Sequence, residues 1–147
     1  MKIGDLAGIT GANTKTIRFY EAEGLMPEPS RTASGYRSYS EESVSRLEFI
    51  LKAKRLGLSL IEILGILQLH DAQESTCVHV RDLLDQKIGE LESTIVALQA
   101  FKGDLATLRN RSIGLVDCKS LGGDICSIIE QSNIIRQQAV PIPISLP

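Results

Sequence analysis

The chain has 147 residues and a formal charge of −2. That length allows one small domain plus a long helix. The near-balanced charge excludes a global pull toward nucleic acid, so any such affinity has to come from local placement.

The placement is uneven: residues 1–70 hold nine Lys/Arg against eight Asp/Glu, and residues 71–147 hold seven against ten. Met1-Lys2-Ile3-Gly4-Asp5 meets an acid before any apolar run, and the apolar stretch 58–69 is short and interrupted by Glu62. The expectation is a cytoplasmic protein with no signal peptide and no membrane span.

Ile3, Leu6, Ala7 and Ile9 carry helical spacing, with Gly8 and Gly11 marking the following turn. A second helix is predicted from the N-cap Asn13 to Glu23, stopped by Gly24. The pair reads as helix-turn-helix with the second helix as reader. Pro27 and Pro29 end helical structure, and Arg31–Tyr39, with Gly35 at its tip, reads as a wing of two short strands. Ser40 to Ser43 opens a helix over about 41–56 whose Val44, Leu47, Ile50 and Leu51 share a face. Gly57 stops it, and Ser59 caps another helix through Gln68.

From about Cys77 to Arg109 the apolar residues Leu84, Ile88, Leu91, Ile95, Leu98 and Leu105 alternate steps of four and three, with Lys102 at the missing seam position. That is about four heptads, and a lone helix of this kind leaves its seam exposed. A second copy of the chain is the economical partner. Gly114, Gly122 and Gly123 mark a loop, Ile125–Glu130 a further helical turn or two, and the uncharged, proline-bearing 137–147 a mobile tail.

Residues 14–39 concentrate the chemistry. Thr14, Lys15, Thr16, Arg18 and Tyr20 lie on the second helix, and Arg31, Tyr36, Arg37 and Tyr39 lie in the wing. Such donors suit phosphate oxygens, and Arg and Lys also reach base edges. No nucleophile–base pairing or phosphate loop is visible, so the chain does not read as an enzyme.

Three cysteines, an odd number, point to reduced thiols used for metal binding or redox sensing rather than to a disulfide framework. Cys77 precedes the long helix and Cys118 and Cys126 bracket the loop beyond it. A straight helix of some thirty residues keeps its ends roughly 50 Å apart, so one chain does not gather all three sulfurs. An antiparallel pair does, bringing Cys77 of one chain to Cys118 and Cys126 of the other. Three thiolates select soft or borderline metals; His79, Asp117, Asp124 or water are candidates for a fourth ligand. Buried core cysteines and a thiol redox switch are the alternatives.

The stretch Thr14-Lys15-Thr16-Ile17-Arg18-Phe19-Tyr20-Glu21, Gly24-Leu25, Arg31 and Gly35-Tyr36-Arg37-Ser38-Tyr39 resembles the MerR family of bacterial transcription regulators, from Met1 to about Gln131. The resemblance implies that Arg18, Tyr20, Arg31, Tyr36, Arg37 and Tyr39 occupy DNA-contacting or wing positions, with Thr14, Lys15 and Thr16 on the exposed face of the reader. Ser75-Thr76-Cys77 and Cys126-Ser127-Ile128-Ile129-Glu130 look like the zinc and cadmium/lead sensors of the heavy-metal branch. The seven-residue gap between Cys118 and Cys126 looks instead like the copper-type sensors. The resulting order is cadmium or lead, then mercury or zinc, then copper(I), silver or gold.

The expected protein is mainly α. A winged helix-turn-helix DNA-binding domain (1–70) precedes a long antiparallel coiled-coil dimerisation helix (77–111), a short C-terminal metal-binding loop and helix (112–131) and a tail (132–147). The resemblance implies a homodimer on double-stranded promoter DNA, acting with RNA polymerase. It turns from repressor to activator of a metal-resistance promoter when a divalent heavy-metal effector leads it to distort the operator.

Overall fold

The computed structural model describes residues 1–113 and 125–133. Its elements in chain order are α1 (Ile3–Thr10), α2 (Thr14–Ala22), β1 (Ser30–Arg31), β2 (Arg37–Ser38), α3 (Glu41–Arg55), α4 (Leu60–Asp71), α5 (Cys77–Ser112) and α6 (Ser127–Glu130). They fall into two compact units that divide after Leu84.

In the first unit the boundaries follow local chemistry. Asn13 caps α2, its side-chain oxygen accepting from the Thr16 N–H at 2.7 Å and satisfying one of the helix's unpaired donors. Ser40 and Ser59 cap α3 and α4 in the same way. Gly24 takes φ 77° after α2, and Gly57 takes φ 84° after α3; this left-handed backbone favours glycine. β1 and β2 pair antiparallel, Ser30 opposite Ser38 and Arg31 opposite Arg37, with Gly35 at φ 83° in the turn.

The core joins Leu6 of α1, Ile17 and Tyr20 of α2, Leu25, Met26 and Tyr39 from the loops, Leu47, Ile50 and Ala53 of α3, and Leu58, Ile63, Ile66 and Leu67 around α4. Each fully buried Leu or Ile contributes about 1.5–3 kcal/mol by leaving water. Val80 and Leu83, in the first turns of α5, pack against this core.

Three boundaries differ from the sequence expectation. α4 continues past Gln68 to Asp71, where the Asp71 carboxylate meets Arg46 of α3 in two bonds of 2.7 and 2.9 Å; that tertiary pair leaves no periodic trace. α5 runs to Ser112 rather than Arg109. α6 begins only at Ser127, because Cys126 is extended at its N-cap. The predicted tail from 134 onward and the loop at 114–124 lie outside the described residues.

No residue of α5, most of which belongs to the second unit, is fully buried. Its seam residues Leu84, Ile88, Leu91, Ile95, Leu98 and Leu105 are each 37–53 % exposed. No described helix is long and apolar enough to cross a membrane.

Candidate nucleic-acid interface and metal-ligand positions

α2 and the wing share one corner of the first unit. Thr14, Lys15 and Arg18 are exposed along α2. Thr16 is half-buried, and its hydroxyl donates to the Asn13 side-chain oxygen at 3.0 Å, so it serves the cap as well as the helix face.

In the wing, Tyr36 is 71 % exposed at the tip. The exposed Arg31 guanidinium donates to the Gly35 carbonyl at 3.2 Å and holds the turn. Thr32 closes it further: its N–H donates to the Tyr36 carbonyl at 2.8 Å, and its hydroxyl accepts from the Tyr36 N–H at 3.1 Å. A cation and a hydroxyl are thereby presented on a braced two-strand ribbon.

Two tyrosines grouped with these residues from sequence sit differently. Tyr20 is 6 % and Tyr39 4 % exposed, so both rings belong to the core beneath the reader. The Tyr39 hydroxyl donates to the Glu21 carboxylate at 2.6 Å. The other Glu21 oxygen lies 3.7 Å from Arg37 Nε. Burial first, then the hydrogen bond and charge of Glu21, pushes the Tyr39 phenol up to about 12. Arg37 and Arg18 oppose that rise, which puts a wing cation and an α2 cation in one electrostatic neighbourhood. Burial also raises Tyr20 above the usual tyrosine range.

Sequence patterning does not single out Glu21 or Arg46. Arg46 Nε donates to the Leu25 carbonyl at 2.6 Å while its terminal nitrogens hold Asp71. One side chain thus ties the turn after α2 to the end of α4. The partners of both residues lie far along the chain, eighteen residues for Glu21 and twenty-one and twenty-five for Arg46; Glu21 lying three residues after Arg18, on the same helix face, is the one local hint.

Of the cysteines, Cys77 is exposed as the first residue of α5, and Cys126 is half-buried ahead of α6, its carbonyl accepting from the Ile129 and Glu130 N–H groups. Cys118, Asp117 and Asp124 lie outside the described residues. His79 is exposed, its Nε2 packing beside Gly65 of α4, where no side chain intervenes. Among the described residues of a single chain, no three metal-ligating side chains gather.

The profile described as "MerR HTH family regulatory protein" matches residues 1–70, and that described as "MerR, DNA binding" matches residues 44–108. The chain belongs to the MerR family. It is 38 % identical over 113 residues to an HTH-type transcriptional regulator ZntR homolog of Haemophilus influenzae, spanning 77 % of this chain and 84 % of that one. It is 41 % identical over 110 residues to the mercuric resistance operon regulatory protein of Bacillus cereus, spanning 75 % and 83 %. Among solved structures, the regulator PbrR691 of Ralstonia metallidurans CH34 in complex with lead(II) superposes with a TM-score of 0.74 at 34 % identity, over 89 % of this chain and 98 % of that one. This MerR protein lies on the family's heavy-metal-responsive branch. MerR regulators are DNA-binding transcription regulators that function as dimers, not enzymes.

Proposed function

We propose that this MerR protein is a cytoplasmic homodimer that reads promoter DNA and senses a soft divalent metal, cadmium or lead first and mercury or zinc next. Lys15, Thr14 and Arg18 of α2 meet the duplex in the major groove. Arg31, Tyr36 and Arg37 meet the flanking backbone, while Tyr20 and Tyr39 hold the reader and wing in place. The exposed α5 seam is closed by an antiparallel second copy.

Cys77 carries the metal reading: it is an exposed thiol at the first residue of a 36-residue helix, with Cys118 and Cys126 beyond that helix in sequence. The fit rests on donor chemistry. Cys77 of one chain with Cys118 and Cys126 of the other supplies three soft sulfur donors, and His79, Asp117, Asp124 or water remain available as a fourth. When bound, the metal supplies the free energy that links the two chains' thiolates. The chain's own residues do the rest. α5 begins six residues after Asp71, which Arg46 ties to the turn that ends the reader helix. A change at the start of α5 therefore has a short route to α2.

A metal can shift the dimer only by its differential affinity for the two states. Bending and untwisting an operator costs about 1–6 kcal/mol, which metal–thiolate binding offsets. The protein then stays on its promoter in both states and turns from repressor to activator, presenting the realigned promoter to RNA polymerase. A copper(I)-type two-cysteine site is the second reading, favoured by the spacing of Cys118 and Cys126.

The test is a footprint of the full-length dimer on its promoter, with and without cadmium, beside in vitro transcription. The reading expects protection in both conditions, new distortion at the operator centre and transcription only with metal. Release of the protein from DNA by cadmium would exclude it.

A further inference from the structure

We propose that Glu21 is a positioning residue of the DNA-reading head: its carboxylate latches wing strand β2 to reader helix α2, so that Arg37 and Arg18 meet the duplex in fixed relation. The inference rests on the DNA-reading role given above.

A carboxylate on a helix that faces phosphates is electrostatically costly unless it is occupied. Glu21 is occupied on both oxygens. One accepts the Tyr39 hydroxyl at 2.6 Å; the other lies 3.7 Å from Arg37 Nε. The Glu21 side chain is only 11 % exposed, whereas that of Arg37 is 45 % exposed. The acid therefore sits beneath the cation, which faces outward. Tyr39 directly follows β2 and is itself anchored in the core. Its backbone also exchanges hydrogen bonds with Met1, giving to the Met1 carbonyl at 2.9 Å and accepting from the N-terminal ammonium at 2.8 Å.

Among the described residues, β1 and β2 pair only with each other, and a two-stranded ribbon is marginal on its own. The Glu21–Tyr39 bond is a direct side-chain link from that ribbon's base to α2. A charge-assisted bond of this length is about twice as strong as a neutral one. It holds the wing at one distance from the reader, so both cations engage phosphates without a further ordering cost.

The test uses the full-length protein and a duplex enriched by the wild-type protein from a random-sequence library, with an unrelated duplex as control. Binding is followed by anisotropy across a salt series for wild type, Glu21→Gln, Glu21→Ala, Tyr39→Phe and Arg18→Ala, with thermal unfolding alongside. Glu21→Gln keeps an acceptor for Tyr39 but removes the charge beneath Arg37. It is expected to bind the enriched duplex about threefold more weakly, and Glu21→Ala about tenfold, as a partly exposed charge pair and then a charge-assisted bond are removed. The Glu21→Ala salt slope should fall by about one, as expected when one phosphate is no longer neutralised. Binding to the unrelated duplex should change less, so the specificity ratio falls.

If Glu21→Ala only lowers the unfolding temperature, leaving slope and specificity ratio at wild-type values, the residue is merely structural and the inference fails. It fails equally if Glu21→Ala binds every duplex more tightly, because the carboxylate would then act as a repellent. If wild type enriches no sequence and Arg18→Ala changes nothing, the DNA-reading role itself is wrong.

Discussion

Arg46 should be worth far more to this fold than the acid it pairs with. Its guanidinium makes three bonds: two to Asp71, at 2.7 and 2.9 Å, and one to the Leu25 carbonyl at 2.6 Å. The Asp71 side chain is 53 % exposed, so the bidentate pair contributes about 0.5–1 kcal/mol. The Leu25 carbonyl belongs to a residue that is 1 % exposed. Its charge-assisted bond is worth about 1.5–3 kcal/mol, and removing the donor leaves a buried acceptor unsatisfied. Arg46→Met keeps the apolar stem but loses all three bonds, for a cost of about 2–4 kcal/mol. Asp71→Asn should cost no more than about 1 kcal/mol. For a domain of this size, 1 kcal/mol is about 4–8 °C in Tm. Calorimetry at one fixed protein concentration should therefore show Arg46→Met lower by about 10 °C or more and Asp71→Asn by about 3–6 °C. Adding Asp71→Asn to Arg46→Met should cost almost nothing further, because the partner is already gone. The hydrogen bond from Arg46 holds the Asp71 carboxyl below the usual carboxylate range. The pair's share of stability is thus complete above about pH 4 and lost as pH falls through the lowered value. Equal destabilisation by Asp71→Asn and Arg46→Met would refute the assignment, since the carbonyl bond would then carry nothing.

Two further outcomes follow from the described geometry. The Tyr39 phenol, raised to about 12, contributes stability that is complete below the unfolded tyrosine value of about 10 and is lost as pH rises through the folded one. In a tyrosinate absorbance titration, the difference between wild type and Tyr39→Phe should stay flat until pH approaches 12 and move lower in Glu21→Gln; a difference that rises at an ordinary tyrosine pH would contradict the buried, Glu21-bonded phenol. Ile88→Asp places a charge in the α5 seam and should convert the dimer to monomer in sedimentation, whereas Gln86→Asp on the outer face should not; equal behaviour of the two would mean that the seam is not where the chains meet.

The reader helix and wing were legible because their signals are local. Asn13 and Thr16, Gly24 and Gly35 each fix a cap or turn through their own backbone. The α5 seam was legible because a heptad repeats. What escaped was tertiary. Tyr20 and Tyr39 carry rings whose burial, and for Tyr39 a hydroxyl whose bond to Glu21, depend on packing that the local sequence does not spell out. Glu21 has no partner legible in its own stretch of sequence, because Tyr39 lies eighteen residues away. Asp71 extended α4 beyond its apolar period because Arg46, twenty-five residues earlier, reached it. The cysteine arrangement was legible as spacing alone, and the sharing of a site between two chains is an inference from the length of α5.

The proposed sensor depends above all on Cys77 of one chain completing a metal site with Cys118 and Cys126 of the other. An anaerobic cadmium titration of the fully reduced protein reads this out, following the ultraviolet thiolate-to-metal charge-transfer band in wild type and Cys77→Ser. A shared site predicts saturation at two metals per dimer, a weakened band in Cys77→Ser and unchanged operator binding by that variant without metal. An absent band, or a saturation that Cys77→Ser leaves untouched, would contradict it.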